Sequence, residues 1–490
     1  MNAPAIQVAL LSHTNAGKTT LARTLLRQDI GAVMDRAHVT ETAESHVLLR
    51  TEAGDELVLW DTPGFGDSVR LARRLEQSGR PIGWFLSQVW DRFADRPFWC
   101  SQQAMRAARD AADVVLYVAN ATEDPDAAGY VAPELRILEW LGKPALVLLN
   151  QLGTRADATR EADIARRWQR MLEAAGVPGP RRVLPFDAFA RCWLQEHTLL
   201  QALGECLAVE QQQPFARLRA AWAARDEQVL QQSAIVIARQ MSTVAADAER
   251  VGEVTLADKA RGLLRGGGEL DAAEASAQRA LLERLDAAVR AGTAELVALH
   301  GLTGGASEEI LSTLGRQFAT ERATDADRVG LIGGIVTGAL SGLAADLAAG
   351  GLTFGAGAVL GGLAGALGAR KLTQLYNAER GIRGSTVRWS DEFLASRIEA
   401  AIVRYLAVAH YGRGRGEFRT GEPDPRWQQV AAQVVSSRPA VVAELLARLR
   451  AGPADAAARS MHELVWQALE TLYPEAAARF ASSREGSTDA

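Results

Sequence analysis

A seven-residue apolar run, AIQVALL at residues 5–11, passes without a break into SHTNAGKTTLARTLL at 12–26. No other stretch restricts the fold as tightly. Residues 12–19 follow the spacing G-x-x-x-x-G-K-[ST], with Ser12 in place of the first glycine. That spacing suits a buried strand, a tight turn whose backbone N–H groups face inward, and a helix starting directly behind the turn. Gly17 lets the backbone approach an anion. Lys18 would reach the β and γ phosphates of a nucleotide, and the Thr19 hydroxyl would ligate Mg²⁺. Serine is small enough for position 12 provided its φ is negative. The competing reading of the same residues is a plain helix start with a Thr or Asn cap.

A second signal lies at DELVLWDTPGFGDS, residues 55–68. A strand ending in Asp61 would carry a carboxylate to the second Mg²⁺ contact. Gly64, just beyond it, can offer its N–H to a γ-phosphate, and loss of that phosphate would release the loop that follows. The runs DVVLYVAN (113–120), KPALVLLNQLG (143–153) and RRVLPF (181–186) are strand-like and alternate with helix-like segments. Alternating strands and helices, with motifs at the strand C-terminal ends, predict an α/β fold with a mostly parallel, doubly wound sheet.

TNAGKTTL, DTPG, ADVVLYV and GKPALVLLNQ, in that order, resemble an Era-like (TrmE-Era-EngA type) P-loop GTPase of the translation-factor class, over residues 5–207. The resemblance implies an α/β P-loop NTPase domain that binds GTP and Mg²⁺. It puts Asn15, Ala16, Gly17, Lys18, Thr19 and Thr20 around the phosphates and Thr19, Thr40 and Asp61 on the metal. It gives Lys18, Thr40 and Gly64 to catalysis. Thr40, in MDRAHVTETAES, would close over Mg²⁺ as the first switch, with Thr42 the second choice. Asn15 matches an asparagine that some relatives use to hold K⁺; its other reading is a loop cap.

The chain departs from that pattern twice. The guanine-reading Asn-Lys-x-Asp is here Asn150-Gln151-Leu152-Gly153. Gly153 lacks the carboxylate that accepts from guanine, which should erode discrimination against adenine and leaves ATP use as an alternative. Asn150 and Gln151 would still meet the base, Asp157 is a substitute only if its loop folds back, and Asp187 with Ala188 would form the last base-contacting loop. Phe65 follows Gly64 where some switches carry a water-positioning glutamine. Hydrolysis is therefore expected to be slow until a partner, a second copy of the chain or a cation assists it.

Residues 66–111 form a long insert in the 1–207 domain. Phe85, Val89 and Phe93 fall at i, i+4 and i+8, and Trp84, Trp90, Phe98 and Trp99 add bulk. One helix with an apolar face is expected, either packed on the body of the domain or moved by the second switch as an effector element. From about residue 208 strong helix formers dominate and strands are expected to stop. The regions 208–328 and 370–490 read as an all-α C-terminal domain split by residues 329–369.

That stretch has 13 glycines in 41 residues and a single charge, Asp346. Gly330, Gly334, Gly338 and Gly342 repeat every fourth residue, as do Gly357, Gly361 and Gly365. Interior glycines cost about 1 kcal/mol each in a water-exposed helix, whereas small-residue stripes pack well in lipid. The legs Val329–Ala345 and Leu352–Ala369 would each extend ~26 Å, slightly less than a hydrocarbon core of ~30 Å. Arg328, Arg370 and Lys371 flank them and favour both ends on the cytoplasmic face. The expectation is a Gly-rich helical hairpin that meets inner-membrane lipid or a membrane protein; the other reading is a buried hairpin of the helical domain.

A net charge of −5, without basic runs or an RNA-binding motif, argues against nucleic acid as partner. Three cysteines, Cys100, Cys192 and Cys206, suit reduced thiols in the cytoplasm. The N-terminus MNAPAIQVALL has no basic region or cleavage site, so no signal peptide is expected. The whole layout resembles a bacterial family of GTPases whose C-terminal half is a domain of unknown function. The molecule expected is a GTP-binding switch, cytoplasmic or held at the inner membrane, with a homodimer as one source of assistance. The alternative is a nucleotide-binding scaffold with little turnover.

Overall fold

The computed structural model describes residues 5–27, 42–77, 81–87, 95–152, 158–188, 191–251, 268–302, 376–381, 384–410, 426–451 and 454–485. Five of the apolar runs form strands: β1 (Ala5–Leu11), β3 (Glu56–Asp61), β4 (Val114–Asn120), β5 (Ala145–Asn150) and β6 (Val183–Pro185). With β2 (Glu44–Arg50) they build a six-stranded sheet in the order β2-β3-β1-β4-β5-β6. Only the β2–β3 pair is antiparallel.

The central strands read as continuous apolar runs because helices cover both faces. Along β4, Val115 and Tyr117 enter one core with Phe65, Leu71, Phe85 and Phe98. Val114, Leu116 and Val118 enter the opposite core with Leu21, Leu25, Leu203 and Trp222. The two-residue period of a strand thus feeds two separate cores.

The helices of this domain are α1 (Lys18–Leu26), α2 (Ser68–Leu75), α3 (Pro81–Ser87), α4 (Arg96–Arg106), α5 (Val131–Leu141), α6 (Ala158–Ala174) and α7 (Glu196–Gly204). Among the described residues the insert carries α2, α3 and α4, and α4 runs into a π-turn at Ala107–Ala111. Phe85 and Phe98 are fully buried edge-to-face partners, with ring centroids 6.0 Å apart. This supports the body-packed reading; Val89, Trp90 and Phe93 lie outside the described residues.

By its contacts the chain divides into two compact units. The first comprises Met1–Glu227, Ala409–Asp424 and Tyr473–Ala490. The second comprises Gln228–Val408 and Pro425–Leu472. The helices that follow α7 are α8 (Val209–Ala246), α9 (Gly268–Leu299), α10 (Asp391–Ala409), α11 (Arg426–Ser437), α12 (Pro439–Ala451), α13 (Ala454–Leu472) and α14 (Pro474–Glu485). In the first unit α14 packs on α7: Phe480 meets the rings of Trp193 at 5.5 Å and His197 at 4.9 Å.

The second unit is helical as expected, with one correction. Strands do not stop at 208. β7 (Ala248–Val251), β8 (Tyr376–Gly381) and β9 (Gly384–Trp389) form an antiparallel sheet in the order β7-β9-β8. The Gly-rich hairpin expected at 329–369 lies outside the described residues. Among the described residues no single helix is long and apolar enough to cross a membrane.

Candidate functional site

The turn between β1 and α1 has the form its spacing requires. Gly17 sits at φ +87° and precedes α1, and no side chain caps the helix, which removes the plain-cap reading. Ser12 is not among the residues of positive φ, while Asn15 is, at +64°. A Cβ on Gly17 would lie 2.4 Å from the Asn150 side-chain nitrogen, so both the backbone angle and the available space demand glycine. The carbonyls of the turn are held from the β5 end. Asn150 Nδ2 donates to the Ala16 carbonyl at 2.9 Å, and Gln151 Nε2 to the Asn15 carbonyl at 3.2 Å.

Lys18 opens α1 and is buried. Its Nζ donates to Ser12 Oγ at 2.7 Å. Burial lowers its pKa to about 8, against the opposing pull of Asp61 and Glu134. Thr20 is buried and its carbonyl accepts the Thr24 hydroxyl, a bond internal to α1.

Asp61 ends β3 beside β1, paired with Leu10 in the parallel register. The Thr19 hydroxyl donates to Asp61 Oδ2 at 2.7 Å, across 42 positions of sequence. The other carboxylate oxygen, Oδ1, is buried and has no hydrogen-bond partner among the described residues. Burial raises the Asp61 carboxyl above its ordinary range, opposed by the Thr19 hydrogen bond and the charge of Lys18. A hydroxyl and a carboxylate with one unsatisfied oxygen converge here, a donor set that fits a hard cation. Among the described residues no group of three or more His, Cys, Asp or Glu could hold a metal alone. Two protein oxygens suit Mg²⁺, which takes its remaining ligands from phosphate and water.

Gly64 lies against the same turn. A Cβ there would approach Lys18 Nζ and the Thr14 Cα at 3.0 Å each. Phe65 is fully buried, in the core that also contains Leu71, Leu75, Ile82, Phe85 and Phe98. Its backbone bridges to the turn: Phe65 N–H donates to the Ser12 carbonyl at 2.9 Å and Thr14 N–H to the Phe65 carbonyl at 3.2 Å.

The residues expected at the base come together at the ends of β5 and β6. Asn150 is fully buried, and its Oδ1 accepts the Ala188 N–H at 2.9 Å. Asp187 Oδ2 accepts the Leu152 N–H at 2.9 Å. Asn150 therefore ties three loops together, a bracing role that its motif position does not reveal. Thr40, Gly153 and Asp157 lie outside the described residues. Thr42 is exposed, just before β2. Sequence reasoning passed over Glu134, whose carboxylate gathers His13 of the turn, Ser68 and Tyr117 from elements far apart in sequence.

A family model described as a domain of unknown function (DUF3482) matches residues 181–471. A model described as a 50S ribosome-binding GTPase matches residues 7–151. The mitochondrial GTPase Era of Danio rerio is 38% identical over 78 residues, which are 16% of this chain and 17% of that protein. That of Salmo salar is 36% identical over 78 residues, with the same shares. The chain thus spans 17% of the length of these curated relatives. A crystal structure of Aquifex aeolicus Era bound to GDP·AlF4⁻ covers 48% of this chain and 67% of its own, at 15% identity and a TM-score of 0.29.

Proposed function

The chain belongs to the family defined by the domain of unknown function DUF3482, joined in it to an Era-like P-loop GTPase domain, and from that premise we propose a GTP-dependent switch with slow, assisted hydrolysis. The observation that carries the proposal is the 2.7 Å contact between the Thr19 hydroxyl and Asp61, beside the buried Lys18. Mg²⁺, when bound, would be held by Thr19 and Asp61 and would neutralise phosphate charge. The turn at 12–19 cradles the phosphates through its backbone, and Lys18 turns from Ser12 to the β and γ oxygens. Thr40 completes the first switch. Gly64 donates its N–H to the γ-phosphate and is the pivot of the second.

Phe65 supports slow turnover. It is apolar and buried in a core, so it offers no group to orient water. The missing help then comes from K⁺ beside the exposed Asn15, from a second copy of the chain, or from a partner. Multiple-turnover phosphate release, with and without K⁺ and at two protein concentrations, tests this. Fast release by dilute protein without K⁺ contradicts it.

Base selection rests on the bracing of Asn150 and on Asp187, because Gly153 supplies no acceptor. Competition between GTP and ATP for the purified protein decides whether guanine is preferred. Equal binding favours the ATP-tolerant alternative.

For the helical half we propose a membrane contact through the small-residue stripes of 329–369, which would hold a cytoplasmic protein at the inner membrane. Co-flotation with liposomes, lost on deletion of 329–369, supports it. Turnover unchanged by liposomes and no flotation would favour a soluble core hairpin.

A further inference from the structure

We propose that Glu134 is a positioning residue that holds the segment after Gly64 against the phosphate loop, so that preference for a triphosphate over a diphosphate depends on this buried carboxylate; the proposal rests on the switch reading above. Glu134 lies on α5 in line with the buried Val131, Leu135 and Leu138, and is itself fully buried. A carboxylate in such a place is costly unless its oxygens are satisfied.

The satisfaction comes from three other elements. Oε1 accepts the hydroxyl of Ser68, the first residue of α2, and faces His13 Nδ1 at 2.8 Å. Oε2 accepts the Tyr117 hydroxyl of β4 at 2.6 Å. The His13 ring is stacked on Tyr130 at 3.9 Å with planes 15° apart, and Tyr130 is held by Glu123 at 2.8 Å. His13 therefore has little freedom to follow a moving partner.

The loop segment 12–14 and the segment 64–68 are thus joined twice. Backbone bonds join them at Phe65, and the shared carboxylate joins His13 to Ser68. Gly64 lies just before both ties, against Thr14 and Lys18. Its N–H is the group assigned to the γ-phosphate, which a diphosphate lacks. Holding 64–68 docked therefore favours the triphosphate specifically. If the network merely satisfied the core, all three donors would be equivalent in their effect on binding. The proposal makes them unequal, because only Ser68 belongs to the moving segment.

The test is calorimetric titration of the full-length protein with Mg²⁺ and either GDP or a non-hydrolysable GTP analogue. Glu134→Gln should weaken the analogue by roughly five-fold or more while GDP stays within roughly two-fold. Ser68→Ala should shift the ratio in the same direction. Tyr117→Phe removes a donor from β4 alone, and should lower the melting temperature without changing the ratio. If Glu134→Gln does not fold, Ser68→Ala decides. An unchanged ratio in folded Glu134→Gln or Ser68→Ala overturns the proposal, as does a Tyr117→Phe that shifts it as far as Ser68→Ala. Wild-type protein that binds neither nucleotide overturns the switch reading itself.

Discussion

Arg217 and Asp55 form a two-pronged ion pair, Nε to Oδ2 at 2.7 Å and Nη2 to Oδ1 at 2.8 Å. Asp55 directly precedes β3, the strand that ends in Asp61, and Arg217 stands on the long helix α8. The strand that ends in Asp61 is thus fastened at its other end to α8. The guanidinium, with help from Thr51, holds the Asp55 carboxyl below its ordinary range. A depressed carboxyl contributes stability above its unfolded pKa and loses it as pH falls through the folded one. Arg217→Ala should therefore lower the melting temperature at neutral pH, and the gap from wild type should narrow below about pH 4. Thermal melts across pH 3–7 test this. A gap independent of pH would mean that packing, and not charge, carries the contact.

Lys18 titrates at about 8 because it is buried. Phosphate binding requires its charged form, so nucleotide affinity should fall as pH rises through about 8. Lys18→Arg keeps its charge throughout that range and should flatten the dependence, even if its affinity is lower. Titrations between pH 6.5 and 9.5 distinguish the two curves.

Asp61 moves the other way. Burial raises its carboxyl, while Mg²⁺ needs the carboxylate. Stabilisation of nucleotide binding by Mg²⁺ should therefore weaken on acidification before the ordinary carboxylate value near 4 is reached. Asp61→Asn should remove most of the Mg²⁺ effect at every pH. Binding measured with and without EDTA supplies the readout.

Two glycines give a matched pair. Gly17→Ala should abolish nucleotide binding and destabilise the fold. The left-handed backbone alone costs about 1–2 kcal/mol, and the new Cβ would meet Asn150 at 2.4 Å. Gly83, inside α3, has nothing within 4 Å of a Cβ. Gly83→Ala should leave binding intact and raise stability by roughly 0.5–1 kcal/mol. Chemical denaturation separates the two.

Asn150→Ala would leave the Ala188 N–H and the Ala16 carbonyl without their partner. Each such buried group costs about 1–3 kcal/mol. A stability loss of about 2–6 kcal/mol is expected, together with equal weakening of GTP and ATP. Selective loss of GTP would instead make Asn150 a base reader first and a brace second.

These residues also show what could be read in advance. β4 and β5 were legible because both of their faces are covered, which writes them as unbroken apolar runs. β2 was not. It is an edge strand of polar sequence, ESHVLLR, largely exposed and with a register shift between Val47 and Leu49. β7, β8 and β9 are short and polar; β7 pairs with a strand more than a hundred residues away, and β8 and β9, though neighbours in sequence, lack an apolar alternation that would announce them. In the insert Phe85 is buried as its place on an apolar face requires, while Val89 and Phe93 lie outside the described residues. In the site, the turn at 12–19 and Asp61 were legible because phosphate and metal chemistry dictate residue types at fixed spacing. Glu134 was not, because its partners stand 17, 66 and 121 positions away and no motif links them.

The account depends most on one shared cation between Thr19 and Asp61, with Lys18 beside it. Calorimetry of GTP with wild type and with Lys18→Ala, Thr19→Ala and Asp61→Asn, each with and without Mg²⁺, tests that most directly. The account predicts Mg²⁺-enhanced binding by wild type, its loss in Lys18→Ala, and loss of the Mg²⁺ enhancement alone in the other two. Lys18→Ala binding as tightly as wild type, or Mg²⁺ enhancement surviving in both Thr19→Ala and Asp61→Asn, would contradict it.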